Sequence, residues 1–181
     1  MSNLLYLEDV FQKLRMGYHL SPEDEPIFSA VTGDYEAYAA QFSLLGLKLK
    51  RHSRDFFYFE PEGNDGTRET LPRMAVFSYI LVDHIANTGK PIEEFLLTTP
   101  FLTSQLPHLS MDRYQNLLRQ VDVEDEAGLR LIIKSMERLG WAKFIGEDEF
   151  RFLRPFHRMF DKCLELSEKP QDEKTESEIE K

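Results

Sequence analysis

Leu45-Gly46-Leu47-Lys48-Leu49-Lys50-Arg51-His52-Ser53-Arg54-Asp55-Phe56-Phe57-Tyr58-Phe59-Glu60-Pro61 is the stretch whose reading decides the fold. A helix-closing glycine leads into two strand-like runs separated by turn residues, and a proline ends the second run. Leu139-Gly140-Trp141 to Pro155 has the same layout. With a constant offset and no gap, Leu45-Gly46 matches Leu139-Gly140, Phe56 matches Phe150, Tyr58 matches Phe152 and Pro61 matches Pro155. The alternating aromatics are expected to put one strand face of each hairpin on its core. The register predicts a tandem duplication of one helix-plus-hairpin unit.

Three helices are predicted before the first hairpin. Leu4, Leu5, Leu7, Val10, Phe11 and Leu14 recur at helical spacing, with Gly17 as C-cap. Ser21-Pro22-Glu23 reads as the N-cap of a short second helix, and Asp34 caps a third over 35–45. After the hairpin, Gly63-Asn64-Asp65-Gly66-Thr67 has linker chemistry, and Pro72 lies near the start of an apolar helix ending near Gly89. Pro91, Pro100 and Pro107 break up residues 91–109. Helices are expected over 110–120 and 125–139, the latter with Leu129, Ile132, Ile133 and Met136 on its apolar face, then a hairpin over 141–153 and a last helix over 156–166.

Three helices leading straight into a hairpin is the winged-helix layout. The fold class read from the sequence is mostly α with β-hairpins (α+β), as two tandem winged helices: 1–62, a linker at 63–70, 71–167, and an acidic tail over 168–181 expected to be disordered. The competing reading, one intertwined α+β domain, differs in whether residues 63–70 separate two cores.

With 22 Lys+Arg against 32 Asp+Glu in 181 residues, a net charge of −10 excludes a protein that coats nucleic acid over its whole surface. The acidity is uneven. Residues 19–36 carry five acids and no Lys or Arg, whereas 128–167 hold eight Lys/Arg against six acids. The first unit's hairpin-proximal helix, 34–45, has no cation to offer a phosphate. The second unit offers Arg130, Lys134 and Arg138 as a stripe, with Lys143 and Arg151 on the hairpin, as candidate DNA contacts. An ordinary solvated helix face gives the same pattern.

In the first hairpin Phe57 and Phe59 make the second face aromatic too, so it requires a cover: the sister unit or a partner chain. Phe95, Phe101 and Leu102, in the proline-broken stretch, are further partner-binding candidates. Catalysis is poorly supported. The five histidines lack metal-ligand spacing, Cys163 is alone, and there is no phosphate-cradling glycine loop or nucleophile elbow. No cofactor is expected. The N-terminal residues lack a signal pattern, no run of 18 apolar residues occurs, and a single cysteine fits a reducing compartment, so the expected setting is the cytosol, with no membrane partner.

Arg54-Asp55-Phe56-Phe57-Tyr58-Phe59-Glu60-Pro61, Leu71-Pro72-Arg73 opening a long apolar helix, Met136-Glu137-Arg138-Leu139-Gly140-Trp141, Phe144-Ile145-Gly146 and Phe150-Arg151-Phe152 resemble the MukE/MksE family of bacterial condensin subunits. The resemblance spans roughly residues 5–165, and the short chain looks closer to the MksE branch. It implies a non-catalytic kleisin-interacting tandem winged-helix element. Such a subunit dimerises and clamps a MukF- or MksF-type kleisin, which bridges the heads of a MukB- or MksB-type SMC ATPase. The implied role is chromosome organisation and segregation at the nucleoid, or plasmid defence in some Mks-type systems. The alternative from the residues is a winged-helix transcription regulator; an enzyme with an unrecognised site is a third reading.

Overall fold

The computed structural model describes residues 4–60 and 70–161. The predicted linker core and acidic tail lie outside them. The chain is mostly helical with small antiparallel sheets, an α+β fold. In order come α1 (Leu7–Arg15), α2 (Ile27–Gly33), α3 (Tyr35–Ser43), β1 (Leu49–His52), β2 (Phe56–Phe59), α4 (Leu71–Asn87), α5 (Ile92–Thr98), β3 (Phe101–Leu102), α6 (Asp112–Arg119), α7 (Glu126–Arg138), β4 (Ala142–Phe144) and β5 (Glu149–Phe152). Two short 3-10 turns connect β3 to α6, and residues 157–161 are helical.

Two hydrophobic clusters form. One joins Val10, Leu14, Leu20, Phe28, Val31, Tyr38, Phe42, Leu49 and Phe57. The other draws only on residues beyond 70, centred on Phe77, Ile80, Leu118, Ile133, Met136 and Phe150. The two halves share a plan, to which the second adds α5. In the first, Leu20 bridges β2 at Phe57, so the order is helix, bridging strand, two helices, hairpin. In the second, β3 pairs with β5 through Phe101 and Phe150, giving the sheet order β3-β5-β4.

The hairpins differ from expectation in one respect. Gly46 and Gly140 both adopt left-handed φ, +76° and +71°, closing the helices before them as their positions suggest. Three positions separate Gly46 from core-facing Leu49, but only two separate Gly140 from core-facing Ala142. Strand side chains alternate, so this one extra residue turns the first hairpin over. Phe57 and Phe59 therefore pack on the first core, in the places of Phe150 and Phe152 in the second. Phe56 and Tyr58, the residues matched to the second core's aromatics in the sequence, face the other way.

Helix α2 also begins later than its sequence cap. Ser21 N–H donates to Asp24 Oδ2 (3.0 Å) and Asp24 N–H to the Ser21 carbonyl (2.9 Å), closing a turn, and the helix waits for Ile27. The Ser21 hydroxyl is buried and caps nothing. Asp34 stands at the N-cap of α3 as expected but its side chain caps nothing, whereas at α7, where no cap was expected, Asp125 accepts from Gly128 N–H at 2.8 Å.

Candidate functional site

The inverted first hairpin meets the second half along a seam centred on His19. This side chain is 5% exposed and lies between the Tyr58, Phe56 and Trp141 rings at 5.5, 5.9 and 5.6 Å. Arg158 lies 2.7 Å from His19 Nε2. A guanidinium only donates, so Nε2 accepts and the neutral ring carries its proton on Nδ1. That proton goes to the Leu139 carbonyl at 3.1 Å, which also accepts the His19 backbone N–H at 2.9 Å. The Trp141 indole nitrogen lies 3.2 Å from the same Nδ1, a packing contact and not a hydrogen bond in this tautomer, since both nitrogens carry hydrogen. Burial first, then the Arg158 charge, lowers the His19 pKa to about 3. Arg158 in turn stacks 4.2 Å over the Tyr58 ring.

Ion pairs flank this centre. Arg54, in the β1–β2 turn, pairs with Glu93 and reaches His157 Nε2 at 3.3 Å. His52 stacks on Phe56 at 4.3 Å and lies 3.6 Å from Asp161. Burial, ahead of neighbouring arginines, lowers the pKa of His52 and His157. On the opposite flank Arg151 meets Glu23 at 2.5 Å. Tyr18 donates to Asp24 at 2.8 Å; burial first, then Asp24, pushes its phenol above the usual range. The backbones touch as well: a Cβ on Gly140 would lie 2.7 Å from the His19 carbonyl oxygen.

The candidate DNA contacts are thus divided by structure. Arg130 donates to the Glu147 carbonyl and lies 3.5 Å from Asp148, tying α7 to the β4–β5 turn. Arg151 belongs to the seam. Lys134, Arg138 and Lys143 are exposed, with Arg138 donating to Ser135 Oγ at 2.9 Å. Leu131, 64% exposed, shares the α7 row of Lys134, Ser135 and Arg138, so this face is apolar at one end and cationic at the other.

The partner-binding candidates are divided too. Phe57 has no exposed surface and contacts the Phe28 and Tyr35 rings at 5.3 and 5.8 Å, so its cover is its own core and it has nothing to offer a partner. Phe59 stands edge-on to Phe42 at 5.0 Å. Phe95 and Phe101 pack half-buried on the second core, whereas Leu102 is 37% exposed. The histidine seam was not legible in advance: residues some 120 positions apart build it, and the aromatic run 56–59 signalled that both hairpin faces need a cover without telling which face meets the other half.

Between α4 and α7, Arg73, Met74, Asp122, Leu131 and Ile132 help line a cavity of about 90 Å³. Small-molecule sites run to several hundred Å³. Among the described residues no three His, Cys, Asp or Glu are placed to hold a metal ion, and no helix is long and apolar enough to cross a membrane.

Fold and site define a double helix-plus-hairpin module whose developed features are a locked seam and exposed faces. The family model described as condensin complex protein MksE matches residues 5–164, and the chain belongs to that family. A comparison with curated proteins found no match. The protein is accordingly an accessory subunit of a condensin-like complex, acting with other condensin subunits.

Proposed function

We propose that this chain is a non-catalytic subunit of two tandem winged helices that binds a kleisin-type chain as a homodimer and, through it, joins an SMC-type ATPase. The assembly organises and segregates the chromosome, or defends against plasmids in Mks-type systems, at the nucleoid in the cytoplasm. The observation that carries the reading is the seam: histidine, arginine and aromatic groups from both halves are spent on joining them. What remains for other chains is the outer surface of the joined halves. Exposed Leu102, Leu44 and Leu45 are the proposed kleisin contacts, whereas Phe57 lies inside its own core. Membership of the condensin family and the shared topology of the halves support the same conclusion.

The second part of the proposal concerns duplex DNA. Lys134, Arg138 and Lys143 form a sequence-indifferent phosphate contact, weak in the isolated subunit and reinforced when the assembly brings DNA to it. A winged-helix regulator, the alternative, requires base-reading groups on α7; the exposed row offers Leu131 and Ser135 between and beside its two cations.

Co-expression with a kleisin-type subunit tests the first part: the two are expected to elute as one species, and separate elution at micromolar concentration overturns it. Reversing Lys134 and Arg138 to Glu tests the second. Retention of DNA by the assembled complex is expected to fall equally for unrelated duplexes, with a salt dependence about two units shallower. Unchanged retention and slope reject the phosphate contact.

A further inference from the structure

Arg151 and Lys143 are cross-strand partners in β4 and β5, so their side chains stand side by side on the outward face of the hairpin. Like charges directly opposite one another disfavour a strand pair. Here an anion from the other half compensates: the Glu23 carboxylate meets Arg151 at 2.5 Å. The acids of this N-terminal loop are divided in use. Asp24 is committed to its own half, accepting from Tyr18, from Ser21 N–H and from Lys13 at 2.8, 3.0 and 3.1 Å. Glu23 reaches across the seam. Both members of the Glu23–Arg151 pair remain 41% exposed at the side chain, so the pair lies at the surface. The Arg151 Nε is buried and has no hydrogen-bond partner among the described residues, so the Glu23 contact engages only part of a fork that has five N–H donors.

We infer that Glu23 is a built-in competitor of nucleic-acid phosphate: it occupies Arg151 and withholds that one cation from the duplex-binding face of the isolated subunit. The inference rests on the phosphate-contact part of the proposed function and adds its regulation. With Glu23 in place the hairpin presents Lys143 alone next to the α7 cations; with Glu23 displaced, Arg151 joins it and the hairpin contributes two adjacent cations. A partner that pulls the 21–25 loop off the seam, or a duplex phosphate dense enough in charge to displace a single exposed carboxylate, releases Arg151 for contact. The exchange is chemically even, one anionic oxygen ligand replacing another on the same guanidinium, and its energy is that of a surface ion pair, small enough to be reversed by binding.

The test uses the full chain and a fluorescently labelled mixed-sequence duplex, titrated at several salt concentrations. Glu23→Gln keeps the side chain's size and removes its charge. It is expected to bind the duplex about two- to five-fold tighter than the unsubstituted protein, the range of one exposed ion pair, and to steepen the log–log salt dependence by about 0.9. Adding Arg151→Gln is expected to abolish the gain. Glu23→Gln binding with unaltered affinity and slope overturns the inference. So does a gain that survives Arg151→Gln, because it then comes from a loosened seam. The Lys134→Glu/Arg138→Glu variant separates the two failures: if it lowers binding while Glu23→Gln changes nothing, the competitor role fails and the phosphate contact stands; if neither substitution moves binding, both fail.

Discussion

Gly46 and Gly140 provide a controlled measurement of the seam's tightness. Both close a helix with left-handed backbone, at φ +76° and +71°, so replacement by alanine imposes nearly the same local strain on each. That strain is roughly 1–2 kcal/mol, offset by about 0.4–1 kcal/mol because alanine restricts the unfolded chain. Gly46→Ala is therefore expected to destabilise by about 1 kcal/mol, since a Cβ there meets nothing within 4 Å. At Gly140 the same atom lies 2.7 Å from the His19 carbonyl oxygen and 2.9 Å from the Tyr18 ring. The oxygen is backbone and the ring is held by Asp24, so neither yields easily. Overpacking of this kind adds about 1–3 kcal/mol, bringing Gly140→Ala to roughly 2–4 kcal/mol. Urea unfolding followed in parallel by far-ultraviolet circular dichroism and by fluorescence measures both numbers. Trp141 is the chain's one tryptophan and stands beside His19, so its emission reports on the seam itself. Gly140→Ala is expected to shift the Trp141 signal at a lower urea concentration than Gly46→Ala. Coincident midpoints for the two variants refute the tight seam.

Two further outcomes follow from the same geometry. His19 at the seam and His108, buried in the second half with its ring stacked on Phe77 at 4.2 Å, are neutral when folded, their pKa values lowered chiefly by burial to about 3 and about 4, whereas an unfolded imidazole titrates near 6.5. The unfolded chain thus binds more protons in this window. The stability these groups contribute is complete above about pH 6.5 and is lost as the pH falls toward their folded values, at about 1.4 kcal/mol per group and pH unit. Urea midpoints are expected to fall steadily from pH 6.5 to 5, and a flat profile contradicts the assignment. Phe57→Ser empties a fully buried site and is expected to cost about 3–5 kcal/mol, read as a large drop in melting temperature. An unchanged melting temperature with lost partner capture restores Phe57 to the interface.

Much of the architecture was legible locally. Helix-closing glycines at 17, 46, 89 and 140 all adopt left-handed φ, and the apolar stripe of α7 lies where its spacing places it. These features depend on residues within a few positions of one another, which is why single-chain patterning reveals them. The α7 stripe was legible as a set of cations, but not the fact that Arg130 is tied to the neighbouring turn and Arg151 to the other half.

By itself, the sequence determined the order of the main helices and the two hairpins, the helix-plus-hairpin plan and the uneven charge, because each follows from local conformational preference and composition; the third strand of each half, at Leu20 and at Phe101–Leu102, did not show in it. Only the tertiary structure decided which face of the first hairpin is core. Four aromatics in a row satisfy either face, and one additional residue after Gly46 made the choice. It also decided that His19, a residue without a motif, lies at the centre of the molecule. A buried imidazole with Arg158 on one nitrogen and the Leu139 carbonyl on the other is defined by contacts some 120 and 139 positions away, and no periodicity encodes those.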